Sequence, residues 1–299
     1  MRRKKEGNMD WNDVQIFLAL IRAGSVRGAG KKLSISHATV ARRIEAFEKR
    51  LGVSLFNRLK TGYELTTAGE ALIDAAENVE AELHSIQRKL VGQDKKLAGT
   101  IRVTSTELIS SHFLIPELSS FMAMYPHTKV EMIETYLTLD LSRCEADIAL
   151  RIGKKPPDNL IARSLAAISV AEYASKSYVE NHDLQDPLSA SLISRVDMES
   201  GPVNYNNSHF KKLPIRGSFS TFRLQMEAAK HDVGIATLPC FVAEKEANLV
   251  RVSDKRLVEG YQIWLLRHPD TRATSRLRVF SEFIVESINK HKSELESIE

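Results

Sequence analysis

A chain of 299 residues, 43% of them hydrophobic, has room for two or three cored domains, and it holds no run near the roughly 20 apolar residues of a membrane helix. Its two cysteines, Cys144 and Cys240, exclude a disulfide framework and a metal cluster, so no cofactor is expected. The formal charge of +4 splits into +8 over residues 1–66 (14 Lys/Arg less 6 Asp/Glu) and −4 over the rest, which assigns an anionic polymer to the front of the chain only.

Residues 1–8 read as a basic, disordered arm without the apolar core of a secretory signal, so a cytoplasmic location is expected. Asp10 then caps a first helix whose Trp11, Val14, Phe17, Leu18 and Ile21 form an apolar stripe ending at Ala23-Gly24. Ser25 opens a second helix, with Val26, Ala29 and Leu33 facing inward and Arg27, Lys31 and Lys32 outward. Ser36 caps a third, in which Val40, Ile44, Phe47 and Leu51 recur at four, three and four residues. The opposite side of that helix carries His37, Thr39, Arg42 and Arg43 near its start. An ordinary surface helix with solvated charges would show as much. The short helix and tight turn before it favour a helix-turn-helix, whose second helix enters the DNA major groove.

The run Trp11-Asn-Asp-Val-Gln-Ile-Phe-Leu-Ala-Leu20, then Ala23-Gly-Ser-Val26, Leu33-Ser-Ile-Ser36, the stretch Thr39 to Arg58, and Gly62-Tyr-Glu-Leu-Thr-Thr-Ala-Gly-Glu70 resemble the DNA-binding domain of LysR-type transcriptional regulators. The resemblance implies a winged helix-turn-helix over residues 9–66, with Leu55-Phe56 and Glu64-Leu65 as wing strands and Lys60 to Gly62 as the turn. It also implies a DNA-facing set of Ser25, Lys31, Ser36, His37, Ala38, Thr39, Ala41, Arg42, Arg43 and Arg58. Ser25, Lys31, Arg43 and Arg58 would meet phosphate, and Arg42 would read guanine. Many family members carry Ser-Gln-Pro-Thr/Ala-hydrophobic-Ser-Arg at this helix start, where this chain has Ser36-His-Ala-Thr-Val-Ala-Arg42. Histidine replaces a bidentate amide and Ala41 lacks a hydroxyl, so DNA binding is expected with an altered base preference.

From Thr67 to Val91, Ala68, Leu72, Ala75, Val79, Leu83, Ile86 and Leu90 repeat at four and three, the spacing of a helical seam. A helix packed on its own chain is the alternative. The resemblance implies a dimerising linker, residues 67–97, and a homodimer or homotetramer on two-fold related half-sites. Gly92 to Gly99 is the natural boundary.

Beyond it, Thr100 to Thr106, Lys129 to Glu134, Ala146 to Arg151, Ile168 to Tyr173, Gly234 to Pro239 and Tyr261 to Leu266 read as strands. Alternation with amphipathic helices argues for a largely parallel α/β sheet. This pattern resembles the family's effector-binding domain, residues 98–299, two lobes of periplasmic-binding-protein type. Lobe I would be 98–162 and 267–299, lobe II 163–266, with hinges near Ala162-Arg163 and Leu266-Arg267. Asn181 to Pro214 resists assignment.

In open α/β sheets ligands bind beyond the strand ends. Thr104, Ser105, Thr106, Arg151, Ser220 and Thr221 stand there, hydroxyls and a guanidinium suited to a small anionic effector. The same hydroxyls suit helix capping, and Arg151 suits an ion pair. His112 reads as a surface helix residue and Cys240 as a buried thiol. The chain has no P-loop, no GxSxG elbow, no metal-ligand spacing and no dinucleotide glycine fingerprint, which disfavours an enzyme. The expected protein is a promoter-binding regulator with a small-molecule effector and with RNA polymerase a candidate partner. A ligand-independent architectural DNA binder is the alternative.

Overall fold

The computed structural model describes residues 10–59, 62–92, 97–135, 140–197, 201–202 and 208–298, in two compact units, Met1–Lys89 and Leu90–Glu299. The arm expected at 1–8 and the wing turn at Lys60 and Thr61 lie outside the described residues.

In the first unit, α1 (Trp11–Ala23) begins with a reciprocal cap: the Asp13 N–H donates to Asp10 at 3.0 Å and the Asp10 N–H to Asp13 at 3.3 Å. Ser25 caps α2 (Val26–Leu33) by accepting the Gly28 N–H, and Ser36 caps α3 (His37–Leu51) by accepting the Thr39 N–H, both at 3.1 Å. Between α2 and α3 the chain turns so tightly that a Cβ on Gly30 would stand 2.7 Å from the Ile35 carbonyl oxygen. Only glycine fits there. The wing strands β1 (Phe56–Leu59) and β2 (Gly62–Leu65) pair antiparallel, Phe56 opposite Leu65, and are longer than the sequence suggested. A long helix, α4 (Thr67–Gly92), follows.

Of the expected stripe the structure buries Val14, Phe17 and Leu18 and leaves Trp11 and Ile21 half-buried, and it buries Ile16, Ala19 and Leu20 as well. The reason is that α1 has several partners: Val40, Ile44 and Phe47 of α3, Phe56 of the wing, and Leu72, Ile73 and Ala76 of α4 share its core. Arg22 fastens α1 to α4, donating to the two Glu80 oxygens at 2.9 and 2.7 Å and to Glu77 at 3.3 Å.

The second unit is one mixed sheet. Its strands are β3 (Gly99–Ser105), β4 (Thr128–Glu134), β5 (Ile148–Gly153), β6 (Ile161–Ser175), β7 (Leu192–Asp197), β8 (Gly201–Pro202), β9 (Ile215–Phe219), β10 (Ile235–Pro239), β11 (Leu249–Arg251) and β12 (Arg256–Arg267). They lie in the order β4-β3-β5-β12-β6-β10-β7-β8, with β11 on β6 and β9 on β7. Parallel pairing is confined to the flanks, β3 with β4 and β5, and β7 with β9 and β10. The centre is antiparallel, which corrects the largely parallel expectation: β6 and β12 form one long ladder that both flanks share.

The positions expected as hinges are paired within that ladder, Ala162 opposite Leu266. Its register shifts at two places, between Leu257 and Gln262, where Gly260 takes φ 72°, and between Ile263 and Trp264. Over the sheet pack α5 (Glu107–Ile109), a π turn (Ser110–Leu114) and α6 (Ile115–Met124), continuous with one another, then α7 (Lys176–Asn181), α8 (Phe222–Lys230), α9 (Cys240–Ala243), α10 (Ser275–Lys290) and α11 (Lys292–Glu296). The stretch that resisted assignment contains β7, whose Ser191 flank and Ser194 are buried polar residues that hide a strand pattern.

One fully buried carboxylate holds the ladder's end. Glu172 of β6 accepts from the Arg256 guanidinium at 2.7 and 2.8 Å and from the Ser253 hydroxyl, while Ser253 Oγ accepts the Glu172 N–H at 2.9 Å. Burial pushes the Glu172 pKa up, and the Arg256 and Ser253 hydrogen bonds outweigh it, leaving the carboxyl below its ordinary value. Its contribution to stability is therefore present above the ordinary glutamate pKa of about 4.3 and lost as pH falls through the lower native value. Glu172→Gln leaves Arg256 without its countercharge and is expected to cost the second unit about 2–3 kcal/mol at neutral pH. Urea unfolding followed by Trp264 fluorescence, in a Trp11→Phe background, measures this; an unshifted midpoint would show the pair to be energetically silent.

Candidate nucleic-acid interface and effector cleft

α3 divides cleanly into a back and a front. Val40, Ile44 and Phe47 are buried, whereas His37, Ala38, Arg42 and Arg43 are exposed and Thr39 and Ala41 half-buried. The Ser36 and Thr39 hydroxyls lie 2.8 Å apart at the helix start, where first-turn N–H groups lack intrahelical partners and suit a phosphate oxygen. Lys31 is exposed on the last turn of α2. Ser25 is half-buried, and because its oxygen already accepts the Gly28 N–H, only its hydroxyl proton is left to donate. Arg58 on β1 is exposed, with its guanidinium 3.7 Å from the carboxylate of Glu45 on α3. The wing arginine therefore stands beside the recognition helix.

Sequence reasoning missed the groups that hold these side chains in place. Glu48 Oε1 accepts the N–H groups of Leu55 at 2.7 Å and Phe56 at 3.0 Å, joining the back of α3 to the first wing strand. Arg50 at the end of α3 pairs with Asp13, a buried carboxylate on α1. An acid placed before a Leu-Phe pair gives no local signal of this role. Glu48→Ala is expected to destabilise the first unit by about 1–3 kcal/mol by stranding two N–H donors, and to speed amide exchange at Leu55 and Phe56. Exchange at those amides unchanged from the parent would refute the anchoring role.

The seam on α4 splits into two parts. Leu72 packs on the core of its own unit, while Ala75, Val79, Leu83, Ile86 and Leu90 are exposed, the last four at 45%, 38%, 47% and 68%.

In the second unit Thr104, Ser105 and Thr106 are buried at the end of β3 and the entry to α5. Arg151 donates to Thr104 Oγ1 at 2.7 Å and to the Leu150 carbonyl at 3.0 Å, and burial pushes its pKa down. Ser105 donates to the Thr106 carbonyl at 3.3 Å. Thr221 caps α8 through the Leu224 N–H at 3.2 Å, and its carbonyl accepts from Gln225 Nε2 at 3.3 Å. Ser220 is half-buried just before it.

One contact brings these two sequence-distant groups together. Arg223, two residues beyond Thr221, donates to Glu107, next to Thr106, at 2.6 Å. The hydrogen bond to Glu107 also raises the Arg223 pKa. Neither residue was anticipated, nor was Arg195, whose guanidinium lies 5.5 Å from the Phe222 ring centroid. His112 is half-buried in the π turn, its ring edge-on to Phe241 at 5.7 Å. Cys240 is buried and unbridged.

Residues 11–70 match the family described as bacterial regulatory helix-turn-helix protein, lysR family, and residues 94–289 match the LysR substrate binding domain. An HTH-type transcriptional regulator of Xanthomonas campestris pv. campestris (strain 8004) is 32% identical over 173 residues, 58% of this chain; the chain spans half of that relative's length, 50%. The HTH-type transcriptional regulator CrgA of Neisseria meningitidis serogroup C (strain 8013) is 24% identical over 298 residues, 93% of this chain and 97% of the relative. In fold, the chain is similar to the full-length structure of AphB, a Vibrio cholerae virulence activator of the LTTR family, at 22% identity and a TM-score of 0.59 over 93% of this chain and 99% of that one. These relatives are regulators rather than enzymes. With the helix-turn-helix and the substrate-binding domain matched in order along one chain, the protein belongs to the LysR family of transcriptional regulators.

Proposed function

We propose that the chain reads double-stranded promoter DNA as a homodimer and that a small effector, bound in the second unit, resets that reading. The observation that carries this is the division of α3: a buried apolar back, and a front on which His37, Ala38, Arg42 and Arg43 are exposed beside Arg58 of the wing. In this reading Arg42 and His37 meet base edges, Ala38 and Ala41 offer methyl contact, and Ser25, Lys31, Ser36, Thr39, Arg43 and Arg58 hold the phosphates. The working divisions would be a basic arm at 1–8, a reading head at 9–66, a linker at 67–97 and an effector domain at 98–299. The protein acts by binding in the cytoplasm, with RNA polymerase as the partner that its position on the promoter would engage.

The exposed Val79, Leu83, Ile86 and Leu90 row supports pairing of two α4 helices, since apolar side chains at this spacing gain by covering one another. A two-fold pair sets two recognition helices on half-sites separated by a whole number of DNA turns, about 34 Å each. Further pairing would give a homotetramer. Leu83→Glu is expected to leave a monomer by sedimentation at micromolar concentration, with weaker binding to a full site; a persistent dimer would move the interface elsewhere.

For the effector, the hydroxyls of Thr104, Ser105, Thr106, Ser220 and Thr221 with Arg151 suit a small anion. Site selection from random duplexes with the purified chain tests the reading as a whole. A two-fold related consensus is expected, and Arg42→Ala should cost about 1–3 kcal/mol at one position of each half-site and relax the preference there. Uniform weakening at every sequence would instead make Arg42 a phosphate contact, and no enrichment at all would overturn the function.

A further inference from the structure

We propose that the Glu107–Arg223 ion pair is a displaceable strap that holds the two flanks of the second unit's sheet together at the cleft, and that access to the cleft requires it to part. Its regulatory meaning rests on the effector reading above; its existence does not.

The two residues belong to opposite flanks. Glu107 opens α5, directly after β3, and Arg223 lies in the first turn of α8, directly after β9. They are 116 residues apart and meet at 2.6 Å. The flanks are also joined through the β6–β12 ladder, whose register shifts between Leu257 and Gln262 and again between Ile263 and Trp264, and through a shared apolar core in which the Phe113 and Phe241 ring centroids stand 4.9 Å apart. An exposed ion pair between the two flanks, with register shifts in the strands that connect them, is the layout of a hinge with a catch. Arg223 also feels Glu227 on its own helix and Glu134 at the end of β4, so acid lies on both sides of it. Its side chain is 66% exposed and that of Glu107 19%, so water and salt reach the pair.

The closed form carries a cost as well as a gain. Thr106 Oγ1, Ser110 Oγ and Gln225 Oε1 are buried without a hydrogen-bond partner, and they sit on the residues that flank the strap. Thr106 precedes Glu107, Ser110 follows it by three residues, and Gln225 follows Arg223 by two. Gln225 Nε2 is already committed to the Thr221 carbonyl, which leaves its oxygen as the unmatched atom. Unmatched buried polar atoms favour opening to water or to a ligand that supplies the bonds, and the strap favours closure. Two opposed effects of this kind allow a ligand to move the balance.

The test measures distance in the full chain with no DNA or ligand present. Spin labels go on Ser119→Cys of α6 and Glu180→Cys of α7, both exposed, in a Cys144→Ser background with buried Cys240 left in place. A dominant short distance is expected for the parent. Glu107→Gln and Arg223→Gln should each raise the longer-distance fraction by up to about fivefold, the range open to a solvent-exposed pair. The double variant should go no further than either single, and raising salt from about 0.05 to about 0.5 M should move the parent the same way. Single variants that match the parent, or singles whose shifts add in the double, overturn the strap. Circular dichroism on each variant confirms that it is folded. Because the readout needs no effector, its failure leaves the effector reading standing, and a failed effector search leaves the strap standing.

Discussion

A helix that reads DNA must be held by its back, because everything on its front has to remain available to the duplex. Val40, Ile44 and Phe47 supply that hold, each almost wholly removed from solvent. At about 1.5–3 kcal/mol for each fully buried apolar side chain, they outweigh any preference of the polar front for another orientation. The demand then passes down the chain. α1 must present apolar groups to α3, to the wing and to α4 together, which is why it is buried on nearly every side. Glu48 extends the same rigidity to the wing through two backbone N–H groups, so Arg58 and the recognition helix are placed as one piece.

The second unit solves the opposite problem. Its β6 and β12 are long, mutually paired and shared by both flanks of the sheet, so neither flank is free of the other. A uniform ladder would make the unit stiff. The register shift with Gly260 at positive φ interrupts it close to one end, and Glu172 and Arg256 fix the ladder just beside that shift.

Much of the first unit was legible because its determinants are local. Caps at Asp10, Ser25 and Ser36, glycine stops at Gly24 and Gly52, and period-3.6 stripes all act within a few residues of where they are read. What escaped is non-local. A strand's alternation does not say which way its neighbour runs, so the antiparallel centre of the sheet was out of reach. Buried serines erased the pattern of β7. The pairs Glu172–Arg256 and Glu107–Arg223 join residues 84 and 116 positions apart, and no local spacing announces them. For the same reason the hydroxyls expected at the cleft were visible as types, whereas the ion pair that brings their flanks together was not.

In the reading proposed above, the front of α3 would carry a consequence for specificity. Arg42 and Arg43 are long and exposed, but Ala38 and Ala41 contribute methyl groups, and His37 offers at most one donor or one acceptor from each ring nitrogen. A hydrogen-bond code of that kind discriminates few positions sharply. Glu45 would add to the effect: it stands beside Arg58, and its carboxylate would repel the phosphates that Arg58 would approach, so Arg58 would exchange one anion for another on binding. That exchange would lower the sequence-independent share of the affinity, since any bond Arg58 made to phosphate would be offset by the ion pair it gave up. In that reading, few strong base contacts would shift discrimination toward thymine methyl packing and toward duplexes whose shape already fits the spacing of the two proposed heads. The proposed dimer would make this workable, because two modest half-site preferences joined at a fixed spacing multiply, where either alone would be too small to select a promoter.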